Sequence, residues 1–198
     1  MLNSAIQFLV EMALRLRFAI IPIRSDKRPV LASWKEFQSL CPSQAQVELW
    51  ARDQPPAWAI ITGAISGVVV LDFDGDRGIA TMNALGLLPH VRTGSGGFHA
   101  YFRHPGWYVA TVNSKAKREL GDRYPGLDIR ADGGYAIFAG RTQAGEYTWL
   151  RDMVADPLDM LPDDVIPGNC CRKNRPQLRH KVLRTSSSRM HRRKPQLS

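Results

Sequence analysis

The stretch that most limits what this chain can become is Val68-Val69-Val70-Leu71-Asp72-Phe73-Asp74. Three successive β-branched residues followed by leucine favour an extended, buried strand. Side chains two apart on a strand project to the same face, so Asp72 and Asp74 are expected to stand together. Paired carboxylates repel unless a proton or a cation intervenes, which makes the pair a natural site for Mg²⁺ or Mn²⁺. The plainer alternative is a strand running out into a polar Asp74-Gly75-Asp76 turn. A calcium-binding EF-hand loop is excluded: the glycine falls at the wrong position, and Asn83 stands where the bidentate glutamate belongs.

Around this strand the pattern alternates. Residues 4–17 carry Ile6, Leu9, Val10, Ala13, Leu14 and Leu16 near helical spacing, with Glu11 and Arg15 as an i,i+4 pair. Strands are expected over Phe18–Ile23, Ala59–Ile61, Gly67–Leu71, His90–Thr93, Phe98–Arg103, Leu127–Arg130, Tyr135–Ala139 and Tyr147–Leu150. Ser43 is placed to cap a helix through Arg52, and Arg77–Leu88 suggests another helix. The sum is an α/β or α+β architecture whose sheet mixes parallel and antiparallel pairs. His104–Gly126 has little periodicity and reads as a solvated loop.

Charge divides the chain in two. Ten of the 27 Lys and Arg residues lie between Gly168 and Ser198, where there is no acid; the remaining 17 face 18 acidic residues, a net of −1. The basic character thus belongs to the tail, expected to be disordered, with the domain boundary at Pro167. Such a tail either holds nucleic acid through phosphate contacts or has no partner at all. Cys41, Cys170 and Cys171 form neither a disulfide framework nor the paired spacing of a zinc site. The amphipathic N-terminus differs from a signal peptide, and no apolar run approaches the ~20 residues a membrane span needs. A cytoplasmic protein without a membrane partner is expected.

Two further motifs carry chemistry. Thr93-Gly94-Ser95-Gly96-Gly97-Phe98-His99 is a glycine-rich turn leading into a strand. Its bare backbone N–H groups, with Ser95 and Gly97, suit phosphate oxygens, and His99 is placed to touch what the turn holds. The alternative is a hairpin turn followed by a core histidine. Leu127-Asp128-Ile129-Arg130 sets an acid and an arginine on one strand face, as a site pair or as a surface ion pair of little energetic weight. Asp132-Gly133 is turn chemistry, so Asp132 reads as structural. Taken together, Asp72, Asp74 and Asp128 offer three carboxylates for two metal ions, the arrangement that supports phosphoryl transfer.

The order Asp-x-Asp, glycine-rich turn with His99, then apolar-Asp128 resembles the archaeo-eukaryotic primase superfamily, and within it the bifunctional DNA primase/polymerase N-terminal (prim-pol) family. Lys27-Arg28-Pro29 with Trp34 resembles that family's early segment. Ile60-Ile61-Thr62-Gly63 with Ser66-Gly67 resembles its lead-in to the catalytic strand, and Gly133-Gly134-Tyr135 with Gly145-Glu146-Tyr147 its closing portion. The likeness runs from Ala5 to Pro167, so residues 1–167 are expected to form the catalytic domain and 168–198 the basic tail. It implies an α+β fold, a mixed-sheet prim-pol core with flanking helices, and template-directed nucleotidyl transfer in DNA replication. Catalytic residues would be Asp72, Asp74, His99 and Asp128, the three acids binding Mg²⁺ or Mn²⁺. Partners would be single-stranded DNA template and primer, dNTP or NTP, and a separate helicase. Arg130, Lys115, Lys117 and Arg118 are added here, from their charge, as triphosphate or template contacts.

Two rivals remain. Val-Val-Val-Leu-Asp72-Phe-Asp74-Gly75 also resembles the nucleophile strand of haloacid-dehalogenase-type phosphatases, with Asp72 as nucleophile and Asp74 as general acid. Asp76 departs from that motif, and the reading leaves His99 and Asp128 without a part. The other rival is a non-catalytic nucleic-acid-binding remnant of a larger primase-helicase, although all three acids are intact.

Overall fold

The computed structural model describes residues 4–151, 158–162 and 165. The expected boundary at Pro167, the basic tail, Cys170 and Cys171 lie outside the described residues. The described chain forms α1 (Ser4–Arg15), β1 (Ile20–Ile23), α2 (Gln44–Arg52), β2 (Ala57–Ile61), β3 (Val68–Phe73), α3 (Gly75–Ala84), β4 (Val91–Arg92), β5 (Phe98–Arg103), α4 (Arg118–Arg123), β6 (Leu127–Arg130), β7 (Tyr135–Thr142) and β8 (Gly145–Trp149). The eight strands make one sheet in the order β1-β2-β7-β8-β4-β5-β3-β6. No described helix is long and apolar enough to cross a membrane.

The class is α+β, and every ladder between these strands is antiparallel. Among the described residues, parallel pairing is confined to two isolated bridges, Arg103 with Met160 and Ala110 with Asp132. Most strand-to-strand connections here are too short to carry the crossover that a parallel neighbour requires.

All six residues of β3 are buried, because the sheet is covered on both faces. The period-2 alternation of a strand divides them. Val68 and Val70 join one apolar cluster with β1, β2, β7 and the inner faces of α1 and α2, including Val10, Ala13, Val47, Trp58 and Phe138. Val69, Leu71 and Phe73 join a second with Met82 of α3 and with Leu120 and Tyr124, on or just after α4. Asp72 continues the Val68–Val70 face at the strand's end.

The helix boundaries follow local chemistry. The Ser43 hydroxyl accepts the Gln46 N–H at 3.2 Å and opens α2 as expected. Helix α3 stops at Ala84, short of the expected Leu88. Gly86, at φ +64°, takes the left-handed position while its N–H reaches Asn83 O and that of Leu87 reaches Met82 O. This is a Schellman ending, and it draws the last carbonyls out of the helical ladder.

The expected loop 104–126 is structured instead. Val112 and Ile129 exchange both backbone hydrogen bonds at 2.8 Å, which lays the segment along the outer edge of β6. The short α4 follows, too brief to persist alone and held by burial of Leu120 and Tyr124.

Candidate active site

Register builds the site. Asp72 on β3 stands directly opposite His99 on β5 and Asp128 on β6, so one row across three strands reads His99–Asp72–Asp128. In the adjacent row on that face, Val70 lies between Tyr101 and Arg130. Three sequence-distant motifs are thereby delivered to one surface by backbone pairing alone. Asp74 lies one residue beyond β3, in the N-cap position of α3 with extended backbone. It forms no side-chain cap hydrogen bond, so its carboxylate is left for the other acids. Asp72, Asp74 and Asp128 each offer an oxygen within 4.8 Å of the others.

The three carboxylates are held unequally. Asp128 is the most tightly fixed: Oδ1 accepts the N–H and hydroxyl of Ser114 at 2.8 and 3.0 Å, and Oδ2 accepts Asn113 Nδ2 at 2.8 Å and Arg130 Nη2 at 2.9 Å. Asp72 has His99 Nε2 at 3.3 Å from Oδ1, with Arg130 Nη2 and Nε at 3.1 and 3.3 Å from Oδ2. Burial alone would raise the Asp72 carboxyl. The His99 and Arg130 interactions outweigh it and hold the group at about 2. Asp74 goes the other way: partial burial and the charges of Asp72 and Asp128 push it up, against weaker opposition from Lys27 and Arg130. The trio therefore carries more negative charge than its one guanidinium balances. An all-oxygen set of this kind fits a hard divalent cation.

The acids stand between two clefts. One, of about 340 Å³, is lined by Asp72, Asp74, His99 and Arg130 together with Lys27, Trp34, Tyr135 and Tyr147. Trp34 and Tyr135 meet edge to face at 5.2 Å, and the Tyr135 hydroxyl donates to Lys27 O at 3.1 Å. The second cleft shares Asp74 with the first and is lined also by Asp128, Arg77, Asn113, Ser114 and Lys115.

The sequence-derived candidates divide accordingly. Asp72, Asp74, His99, Asp128 and Arg130 converge, and Ser95 lies on the wall of the first cleft. Lys115 lines the second. Lys117 occupies the N-cap position of α4, and Arg118 pairs with Asp122 at 3.3 Å on an exposed surface; neither lines these clefts. Gly97 is buried, and a Cβ there would collide with the Phe73 carbonyl. At Gly94 a Cβ would sit 2.5 Å from Gly145 O. These two glycines have a packing reason to be glycine that the turn's pattern does not reveal.

Asn113 and Ser114, which fix Asp128, were missed. Their pairing spans some 15 residues across what reads as a featureless loop. Lys27 and Trp34 carried part of the family likeness without a site role, and Tyr147 likewise. His99 Nδ1 and the Tyr101 hydroxyl are buried without a hydrogen-bond partner, beside the site on the same face of β5.

Comparison with known proteins gives one family. The model described as bifunctional DNA primase/polymerase, N-terminal, matches residues 10–164. No curated protein matches the chain.

Proposed function

The chain belongs to the bifunctional DNA primase/polymerase N-terminal family, and from that premise we propose that it is an active, template-directed nucleotidyltransferase with its centre at Asp72, Asp74 and Asp128. The observation that carries this is the cross-strand row His99–Asp72–Asp128 with Asp74 beside it, at the meeting of two open clefts. The family implies DNA and nucleotide substrates and a metal-dependent reaction.

The reaction would join a primer 3′-oxygen to the α-phosphorus of the incoming nucleotide. The bond from that phosphorus to the β-phosphate bridging oxygen breaks, and pyrophosphate leaves. Bound at the three carboxylates, Mg²⁺ or Mn²⁺ supplies activation of the attacking hydroxyl and charge stabilisation of the leaving oxygen. The chain's own share is positioning. Ser114 and Asn113 hold Asp128, His99 holds Asp72, and Arg130, Lys27 and Ser95 offer positive charge and hydrogen bonds to a polyphosphate in the first cleft. Lys115 and Arg77, across the acids, suit the phosphates of a nucleic-acid strand. The phosphatase alternative has no use for Asp128 or His99 and gains nothing from the family match.

The test is primer extension on a single-stranded template with dNTPs and Mg²⁺ or Mn²⁺, with Asp72→Asn/Asp74→Asn alongside. Template-directed extension by the wild type, reduced about 10³-fold or more in the variant, is expected from loss of several kcal/mol of metal-borne stabilisation. Absence of extension by well-folded wild-type protein sinks the proposal. Salt-sensitive DNA binding without turnover would then favour the binding-remnant alternative.

A further inference from the structure

We propose that Arg130 is the resident counter-ion of the acidic trio: it competes with a divalent cation for Asp72 and Asp128, and cation binding releases it into the first cleft for polyphosphate. This rests on the reading of the trio as a metal site and goes beyond it by giving Arg130 two alternating partners.

The geometry has three parts. Arg130 Nη2 lies 3.1 Å from Asp72 Oδ2 and 2.9 Å from Asp128 Oδ2, so a single nitrogen spans the two carboxylates that a bridging cation would span. Nε adds a contact to Asp72 Oδ2, and Nη1 takes no part in these ion pairs. The side chain is 27% exposed and lines the first cleft, so the guanidinium has room to move towards that cleft without leaving the site. Its carboxylate partners are far less accessible and do not follow it: Asp128 is fixed by Ser114 and Asn113, and Asp72 by His99. A guanidinium does not lose its charge in a protein, so a cation meets it as a like charge that must swing away. The planar fork that suits a carboxylate suits a phosphate equally well.

The idea makes a prediction opposite in sign to that of a structural ion pair. If Arg130 only braces the acids, removing it loosens them and weakens metal binding. If it competes, removing it strengthens metal binding and weakens polyphosphate binding. Mn²⁺ binding without nucleotide, read from the electron paramagnetic resonance of free Mn²⁺, would be compared for wild type, Arg130→Gln and Arg130→Lys. Inorganic tripolyphosphate binding at saturating Mg²⁺ would be measured by calorimetry.

For Arg130→Gln, Mn²⁺ affinity is expected to rise and tripolyphosphate affinity to fall, each by about 5–50-fold, with Arg130→Lys between. Mn²⁺ affinity unchanged or lowered in a folded Arg130→Gln protein overturns the exchange. Should that variant not fold, the wild type decides. The Arg130 Nε–H resonance should shift and lose its protection from solvent exchange as Mg²⁺ is added. Its persistence with Mg²⁺ bound overturns the exchange and leaves the metal reading intact. Failure of the wild type and variants alike to bind Mn²⁺ overturns the metal reading, and this inference with it.

Discussion

Two acidic centres, Asp132 and the trio of Asp72, Asp74 and Asp128, are built on opposite principles. Asp132 is a single carboxylate with its demand met. Oδ1 accepts the Ala64 N–H at 2.9 Å, and Oδ2 accepts the Val109 N–H at 2.8 Å and lies 3.0 Å from His104 Nε2. His104 Nδ1 accepts the Gly106 N–H, which leaves Nε2 to carry the proton and donate it. Burial pushes the Asp132 carboxyl up, but the His104 and backbone bonds outweigh it and the group lies below its ordinary range. Asp72, Asp74 and Asp128 are three carboxylates around one arginine, and Asp74 lies above its range. The lesson is one of charge balance. Asp132 ties segments together and has its donors; in the trio Asp128 and Asp72 are also held, and the shortfall falls on Asp74, which has no side-chain cap hydrogen bond and two carboxylates for neighbours.

The sharpest way to break this comparison is to delete the satisfied acid. Asp132→Ala strips a shared acceptor from two backbone N–H groups and a largely buried histidine, tying the Gly63–Ser66 turn to the 104–109 segment. Losing buried donors' partners costs about 1–3 kcal/mol each where solvent cannot replace them, so a loss of about 2–4 kcal/mol is expected from the urea midpoint. Primer extension per folded molecule should stay close to wild type, in contrast to the Asp72→Asn/Asp74→Asn loss. A variant that keeps its stability but loses extension would place Asp132 with the functional acids.

That division was partly legible in the sequence. Asp132-Gly133 announces a turn, and the β-branched run into Asp72 announces a strand, because both signals are local. The spacing of Asp128 and Arg130 fixed their shared face. The partnership of Arg130 with Asp72 depends on the β3–β6 register, which brings together residues 58 positions apart. The Asp132–His104 pair has the same non-local origin, with no motif linking its members. Helix α4 went unseen because six residues carry too little periodicity; Leu120 and Tyr124 form it by tertiary burial. Gly97 looked like phosphate-binding flexibility, yet its requirement comes from the end of β3 passing too close for a Cβ. Local chemistry was readable, and close approach between distant strands was not.

A smaller effect sharpens the comparison from the functional side. The native state disfavours an ionised Asp74, because its folded pKa is raised by burial and by Asp72 and Asp128. Replacing it with neutral Asn should therefore stabilise the metal-free protein at neutral pH, whereas Asp132→Asn should destabilise it. Solvent screening at this exposed side chain keeps the Asp74→Asn gain small, well below the Asp132→Ala loss. If Asp74 is a metal ligand as proposed, the gain should shrink or reverse with saturating Mg²⁺, because wild type then offers one more ligand than the variant. Thermal melts with and without Mg²⁺ measure both; a destabilised metal-free Asp74→Asn protein contradicts the assignment of Asp74 as a strained acid.

Acid titration of stability gives the smallest and most discriminating effect, since the two sites must respond at different pH. Asp132 has a lowered folded pKa, so its contribution is complete above the ordinary carboxylate pKa of about 3.9 and is lost as pH falls through the folded value. The stability gap between wild type and Asp132→Asn should thus hold constant from neutral pH down to about 4 and close only below it. Asp74 has a raised folded pKa, so the penalty of its charge is present at neutral pH and relieved as pH falls through that raised value. The advantage of Asp74→Asn should therefore begin to fade above pH 4, while the Asp132→Asn deficit is still intact. Urea midpoints from pH 7 to 3 in metal-free buffer, with both variants beside wild type, give the two curves directly. Coincident closure of the two gaps would mean that both acids sit in equivalent environments, and the contrast between a satisfied acid and a waiting one would fail.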